Sequence, residues 1–356
     1  MLLSIIVPAF KVADYIEKCI RSLEDQDVPK EDYEIIVTND GSPDDCQEIV
    51  ERLQKEFSNI VLINQENQGV SMARNNAVAV AKGKYMMPID PDDYLVPNCL
   101  KAAINQAEAD QLDVLYCAFE IFDVNYTAIW RTDYSELINK VDIGYEGYFA
   151  VRGAKIKDPD RSVAMLYRMD VLQKFHISYP KDVPYLEDGL FLLKIFTVAN
   201  RVGYSNADFY QRTTRLGSAT NSDMGSSDYA INGFILATID LRNFASNNNF
   251  SKNQIALINH GMAKFILLAL FPSVRFELLE RFRKTCSQLK SLGFNKINTL
   301  GVKDFYNSYA KAYNISSYLF FLLYSKDKFK QKFLINFRCE LLKKKLTGQH
   351  CYDKKN

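Results

Sequence analysis

Over the first 120 residues, short apolar runs alternate with segments of helical periodicity, and that order admits few folds. The apolar runs cover residues 3–7, 33–38, 60–64, 85–89 and 114–117; amphipathic segments cover 12–23, 44–56, 71–81 and 97–109. Runs that are apolar at nearly every position, rather than at every second one, belong to strands buried on both faces. Strands joined through helices pair in parallel. The reading is an α/β fold, a mostly parallel sheet flanked by helices. In open sheets of this kind ligands bind outside the carboxyl ends of the strands, so the residues after each strand carry the functional information.

After the first run comes Pro8-Ala9-Phe10-Lys11. It holds no GxGxxG, and no GxxxxGK[ST] follows any strand, which removes most of the support for a nicotinamide enzyme. After the second comes Thr38-Asn39-Asp40-Gly41-Ser42-Pro43-Asp44. Asp40 stands where its carboxylate can accept from a base or ribose donor, while Gly41 and Ser42 turn the chain and Asp44 is placed to cap the next helix. A plain turn and cap explains Asp44 well and Asp40 less well. The third strand is followed by Gly69-Val70-Ser71-Met72-Ala73-Arg74-Asn75. A helix N-terminus with Arg74 makes an anion site; the competing reading is a surface helix with Arg74 in solvent.

The fourth run ends in Asp90-Pro91-Asp92-Asp93. Asp90 and Asp92 lie two apart, so extended backbone points both to one side, and Pro91 stiffens the pair. Two carboxylates this close repel unless a cation or a bank of donors sits between them; a hard ion, Mg²⁺ or Mn²⁺, would serve and often also holds a substrate diphosphate. The alternative is an acidic turn whose Asp93 caps a helix.

Residues 118–160 lose the rhythm and read as irregular strands and loops that shape a substrate pocket. Residues 161–175 read as a helix. Glu187-Asp188-Gly189 then precedes a helix over 190–198. A carboxylate pair at a helix start favours the dipole, and at a pocket wall one of the two is a general base. Tyr210-Gln211-Arg212-Thr213-Thr214-Arg215-Leu216-Gly217-Ser218 is either a loop that closes two arginines over a diphosphate or a basic loop in solvent. From about residue 229 the pattern is helical.

The net charge of +1 gives no field that points to nucleic acid. The charge is uneven, however: residues 326–356 carry ten Lys or Arg against three acids. This stretch follows the aromatic, apolar 318–324, which reads either as a peripheral membrane contact or as a helical domain with a solvated basic face. No continuous apolar run reaches the ~18 residues of a membrane span. The N-terminus reads as a strand, not a signal peptide. Seven cysteines without CxxC spacing fit a reducing cytoplasm.

Taken in order, Ser4-Ile5-Ile6-Val7-Pro8-Ala9-Phe10, Asn39-Asp40-Gly41-Ser42-Pro43-Asp44, Gly69-Val70-Ser71-Met72-Ala73-Arg74-Asn75, Asp90-Pro91-Asp92-Asp93 and Glu187-Asp188 resemble family-2 glycosyltransferases of the GT-A fold. The resemblance covers about residues 1–220. It implies an inverting transfer of one sugar from a nucleotide diphosphate sugar, most often a UDP-sugar, to a hydroxyl of a glycan or polyprenyl-linked acceptor, with Mn²⁺ or Mg²⁺. It implies a nucleotide-sugar half over 1–120, an acceptor half with the catalytic base over 121–225, and a helical extension over 226–356. By the same carry-over, Ala9 and Phe10 with Asp40 hold the base, Arg74 contacts the nucleotide, and Asp90 binds the ribose. Asp92 ligates the metal, Asp188 is the catalytic base, and Glu187 binds the acceptor or supports that base. Arg212 and Arg215 reach the diphosphate.

Lys11 stands where the family usually has Asn, and Asn39 replaces a frequent Asp. The QxxRW of processive members is missing, which favours one sugar per encounter, with bacterial surface polysaccharide synthesis at the inner face of the membrane as the expected setting. A nucleotidyltransferase would need a Gly-rich basic loop after the first strand, and Pro8-Ala9-Phe10-Lys11 supplies none. A non-catalytic sugar-nucleotide-binding subunit would be favoured by a lost carboxylate, yet Asp40, Asp90, Asp92 and Asp188 are all present.

Overall fold

The computed structural model describes residues 1–330 apart from 124, 126, 154, 155, 157, 159, 184 and 215–226. The expected alternation is present. Strand β1 (Leu3–Ala9) leads to helix α1 (Ala13–Glu24), β2 (Tyr33–Asp40) to α2 (Cys46–Glu56), and β3 (Ile60–Gln65) to α3 (Val70–Val80). Next come β4 (Tyr85–Pro88), the short β5 (Tyr94–Leu95) and α4 (Leu100–Ala109). Each long strand runs to the first polar residues of its turn, so that Asp40 ends β2 and Asp90 lies just beyond β4.

The second half adds β6 (Val114–Phe122), β7 (Ala128–Arg131), α5 (Gly144–Ala150), β8 (Met165–Arg168), α6 (Met169–Lys174), α7 (Glu187–Val198) and β9 (Val202–Thr213). Among the described residues nine strands form one sheet in the order β3-β2-β1-β4-β8-β6-β9-β5, with β7 paired to β6. Pairing is parallel along β3-β2-β1-β4 and between β6 and β9; β8 runs antiparallel to both its neighbours.

The helix expected over 161–175 is corrected by β8. Met165, Leu166 and Tyr167 are wholly buried between β4 and β6 and complete the sheet there, and only 169–174 is helical. A short apolar run buried on both faces carries no periodicity that separates strand from helix. Within 118–160, β6 extends to Phe122, and β7 and α5 are regular.

Alternate side chains of the strands feed two cores. Leu3, Ile5 and Val7 pack with Ile16, Ile20, Leu53 and Ile104 from α1, α2 and α4. Ile6, Ile36 and Met86 face the other layer, which holds Ala77, Phe191 and Phe196. That second core continues without a break into α8 (Asp228–Ser246), α9 (Lys252–Leu270), α10 (Leu279–Ser291) and α11 (Asp304–Ile315) through Leu241, Phe265, Leu289 and Tyr313. A further helix spans 317–330. By length and composition Lys252–Ser273 could cross a membrane, but 72% of its most apolar window is buried inside the protein. Its hydropathy is that of a core helix packed against α7, α8 and α11. Gly261 permits this contact, because a Cβ there would lie 2.6 Å from Leu193 Cδ1 of α7.

Candidate active site

A cleft of about 500 Å³ opens at the carboxyl ends of β1, β2 and β4. Pro8, Ala9 and Phe10 form one wall, with Phe10 41% exposed at the mouth. Asp40, Asn67, Gly69 and Val70 form a second; Asp90, Asp92 and Glu187 lie at the other end beside Arg212, Thr213 and Thr214.

The wall behind β2 is built by Asp40. Its Oδ1 accepts from Gln65 Nε2 and from the Gln68 N–H, both at 2.7 Å, and its Oδ2 accepts from the Gly69 N–H at 2.9 Å. The carboxylate therefore ties the loop after β3 to the end of β2. Gly41 is needed beside it: φ is +64°, and a Cβ would come within 2.9 Å of the Asn67 nitrogen. Asp44, read as a cap, meets the first residue of α2 and that of α1 as well. It accepts from the Ala13 N–H at 2.9 Å and from the Cys46 N–H at 3.4 Å.

Arg74 is not in solvent. It is 3% exposed, and its guanidinium lies 5.0 Å above the Tyr179 ring beneath three carboxylates. Nη2 donates to Asp90 at 3.0 Å; Nη1 donates to Glu187 at 3.2 Å and to Asp188 at 3.0 Å. One buried cation thus gathers carboxylates from β4 and from the first turn of α7. Leu186, which precedes that turn, has φ +61°, a strained conformation for a bulky side chain, at the point where the chain brings Glu187 to the cleft and Asp188 to Arg74. Burial and the adjacent Asp188 charge push the Glu187 carboxyl up to about 7, against the pull of Arg74. Asp188 also accepts from Ser162 Oγ at 2.7 Å.

Asp93 does not cap a helix. It is buried, and its carboxylate accepts from Tyr210 Oη at 2.7 Å and from the Thr213 N–H at 3.0 Å. The same Tyr210 oxygen accepts the Asp90 N–H at 3.1 Å. The acidic turn is thereby tied to the end of β9, so Arg212 is carried on a strand rather than a loop. Burial and the charges of Asp90 and Asp92 push the Asp93 carboxyl well above the usual range.

The structure brings Ala9, Phe10, Asp40, Asp90, Asp92, Glu187 and Arg212 to one cleft, with Arg74 and Asp188 directly behind it. Arg215 lies outside the described residues, as does nearly all of the basic tail. The sequence reading missed Ser162 and Tyr179, which stand in no motif, and gave Tyr210 no part. Among the described residues no group of three or more His, Cys, Asp or Glu is arranged to hold a metal ion. A divalent ion on a substrate diphosphate needs fewer protein ligands, one or two carboxylates completed by phosphate and water. Asp92, half-buried at the cleft, and Asp90, whose side chain is 40% exposed, suit that arrangement.

Residues 4–174 match the model described as glycosyl transferase family 2. Relatives include an uncharacterized glycosyltransferase, EpsJ of Bacillus subtilis (strain 168), 32% identical over 211 residues, 59% of this chain and 60% of that protein. Another is the poly(ribitol-phosphate) beta-N-acetylglucosaminyltransferase TarS of Staphylococcus aureus (strain MW2), 28% identical over 225 residues, 62% of this chain and 37% of TarS. The chain spans less than two thirds of the length of these curated relatives. Among solved structures, S. aureus TarS 1–349 in complex with UDP-GlcNAc superposes with a TM-score of 0.67 at 21% identity over 92% of each chain. The two share the GT-A fold, with its sheet flanked by helices and its helical C-terminal region.

Proposed function

Because residues 4–174 make this chain a member of glycosyl transferase family 2, we propose that it transfers a single sugar, with inversion, from a UDP-sugar to a hydroxyl of a glycan or lipid-linked glycan. The observation that carries the reading is that Asp90, Asp92 and Glu187 line one cleft while Arg74, buried behind it, joins Asp90 and Glu187 to Asp188. The Asp90/Asp92 pair faces the nucleotide end, and the Glu187/Asp188 pair supplies a base for the attacking hydroxyl. A UDP-GlcNAc complex of a fold relative and a relative that acts on poly(ribitol phosphate) support this donor class and a bacterial surface glycan as acceptor.

In this reading Phe10 and Ala9 flank the base, Asp40 holds the wall against which it lies, and Asp90 takes the ribose. Arg74 orients the carboxylates rather than meeting solvent. Asp188 accepts the proton as the acceptor oxygen attacks the anomeric carbon, a role that contributes ~10² to 10⁴-fold in comparable steps. Both of its donors, Ser162 and Arg74, meet Oδ1, so the reacting oxygen is Oδ2. Arg212, at the end of β9, faces the leaving diphosphate, with Arg215 the expected second cation beyond it. Asp92, with Asp90 beside it, would hold Mn²⁺ or Mg²⁺, which when bound neutralises charge on the diphosphate. In-line displacement inverts the anomeric centre without a covalent intermediate.

The setting we propose is the cytoplasmic face of a membrane. Tyr318, Leu319, Leu322 and Phe329 are 41–73% exposed on the helix 317–330, next to Lys326 and Lys330 and the basic sequence that follows. Flotation of the full chain with anionic liposomes tests this, and no binding would refute it. The donor reading is tested by calorimetry with UDP and UDP-sugars in Mn²⁺, Mg²⁺ or EDTA. Metal-dependent binding that Asp92→Ala abolishes is expected; binding equally tight in EDTA would contradict the role of Asp92.

A further inference from the structure

We propose that Asp158, Asp160, Arg161 and Ser162 form a strut through which helix α9 fixes the carboxylate of Asp188, with Ser162, Asp160 and Lys264 as positioning residues. The proposal rests on the reading of Asp188 as the general base. Ser162 is wholly buried; its hydroxyl donates to Asp188 Oδ1 at 2.7 Å, and its carbonyl accepts from Tyr167 Oη at 2.8 Å. The second contact holds the backbone that carries the hydroxyl. Two residues earlier, Asp160 accepts from Arg152 Nε at 3.2 Å and Nη2 at 2.9 Å, and pairs with Lys264 of α9. A Cβ on Gly189 would lie 3.6 Å from Asp160 Oδ2, which places this carboxylate against the first turn of α7, beside Asp188 itself.

The remaining members are tied as firmly. Arg161 holds Asp158 at 2.8 and 3.1 Å, reaches Tyr134 Oη at 2.9 Å, and donates to the carbonyls of Ala164 and Cys117. Arg152 lies 3.7 Å over the Tyr148 ring. Lys264 has only 8% of its side chain exposed. Five charged groups are therefore largely withdrawn from water, three of them, Asp158, Asp160 and Arg161, within the four residues before Ser162. Buried ion pairs are poor sources of net stability, since apolar side chains of similar size often serve as well or better. What they fix is direction, and here the direction is that of Ser162 towards Asp188.

The consequence is that the C-terminal helices belong to the catalytic unit. The family match ends at residue 174, before Asp188, and Lys264 lies 76 residues beyond Asp188 in the chain (264 − 188). The network could not be read from motif or spacing, because its members are scattered over 152–264 and meet only in the fold.

The test uses the full chain with whichever UDP-sugar it turns over, comparing wild type with Ser162→Ala, Lys264→Met, Lys264→Arg and Asp188→Asn. Ser162→Ala and Lys264→Met are expected to lower kcat about tenfold with donor KM and UDP affinity within twofold of wild type, and Lys264→Arg to recover most of the loss. Ser162→Ala deletes one atom, so it decides the matter even if Lys264→Met does not fold. If Ser162→Ala leaves kcat within twofold while Asp188→Asn is inactive, the strut is overturned and the base reading stands. If kcat and UDP affinity fall together, the network is a general support and the proposal fails. An active Asp188→Asn protein would remove the base reading and the strut with it.

Discussion

Replacing Glu187 with Gln should stabilise the protein, and only above the pH at which a free glutamate ionises. Burial next to Asp188 raises the Glu187 carboxyl from its ordinary 4.5 to about 7, despite Arg74 at 3.2 Å. Between those two values the folded chain keeps a proton that the unfolded chain releases, so stability falls as pH rises through this window. Below 4.5 both states are protonated and the penalty is absent; above 7 it is complete. At ~1.4 kcal/mol per pH unit the full penalty is about 3 kcal/mol. Gln carries no such term. For a chain of this length, ~3 kcal/mol corresponds to about 4 °C in Tm. The wild-type curve alone would hide the effect, because burial holds the His260 imidazole down at about 3 and makes stability fall as pH drops below 6.5. The assay is therefore the difference in Tm between Glu187→Gln and wild type, measured from pH 4.5 to 8. It should grow from near zero to about 4 °C in favour of the variant. A difference that stays constant across the range, or a variant less stable at pH 8, would refute the electrostatic account of this pair.

Other consequences follow from single contacts. Asp40→Ala leaves the Gln68 and Gly69 N–H groups and the Gln65 amide without their acceptor, which should destabilise by ~1–3 kcal/mol in urea titrations and weaken UDP binding at least tenfold by calorimetry. Tyr210→Phe removes the oxygen that joins the Asp90 N–H to Asp93; donor KM should rise severalfold, with a stability loss of ~1–2 kcal/mol read from the same titrations.

The nucleotide half of the site was legible because its signals are local. Strand ends that turn after Ala9 and at Gly41 and Gly69, and a carboxylate pair stiffened by Pro91, are local stretches whose geometry follows from backbone rules. The roles of Arg74 and Asp93 were harder. Both look like exposed polar groups in sequence, and both are buried because partners distant in the chain, Glu187 and Asp188 for one and Tyr210 for the other, close over them. The strand at 165–168 was missed for a related reason: a run buried on both faces has no period, and its place between β4 and β6 is settled by the sheet. Ser162 and Lys264 left no local trace at all. Their side chains matter only through a fold that brings three separate segments to one carboxylate.

At the centre stands the reading that Asp92 and the three carboxylates joined by Arg74, those of Asp90, Glu187 and Asp188, form the site of sugar transfer. The most direct measurement is nucleotide diphosphate release from a panel of sugar nucleotides with a glycan acceptor, comparing wild type with Asp188→Asn in Mn²⁺ and in EDTA. The account predicts release from one UDP-sugar that depends on metal and falls at least a hundredfold in Asp188→Asn, while UDP affinity is unchanged. Undiminished release by the Asp188→Asn protein, or UDP affinity lost together with the rate, would contradict it.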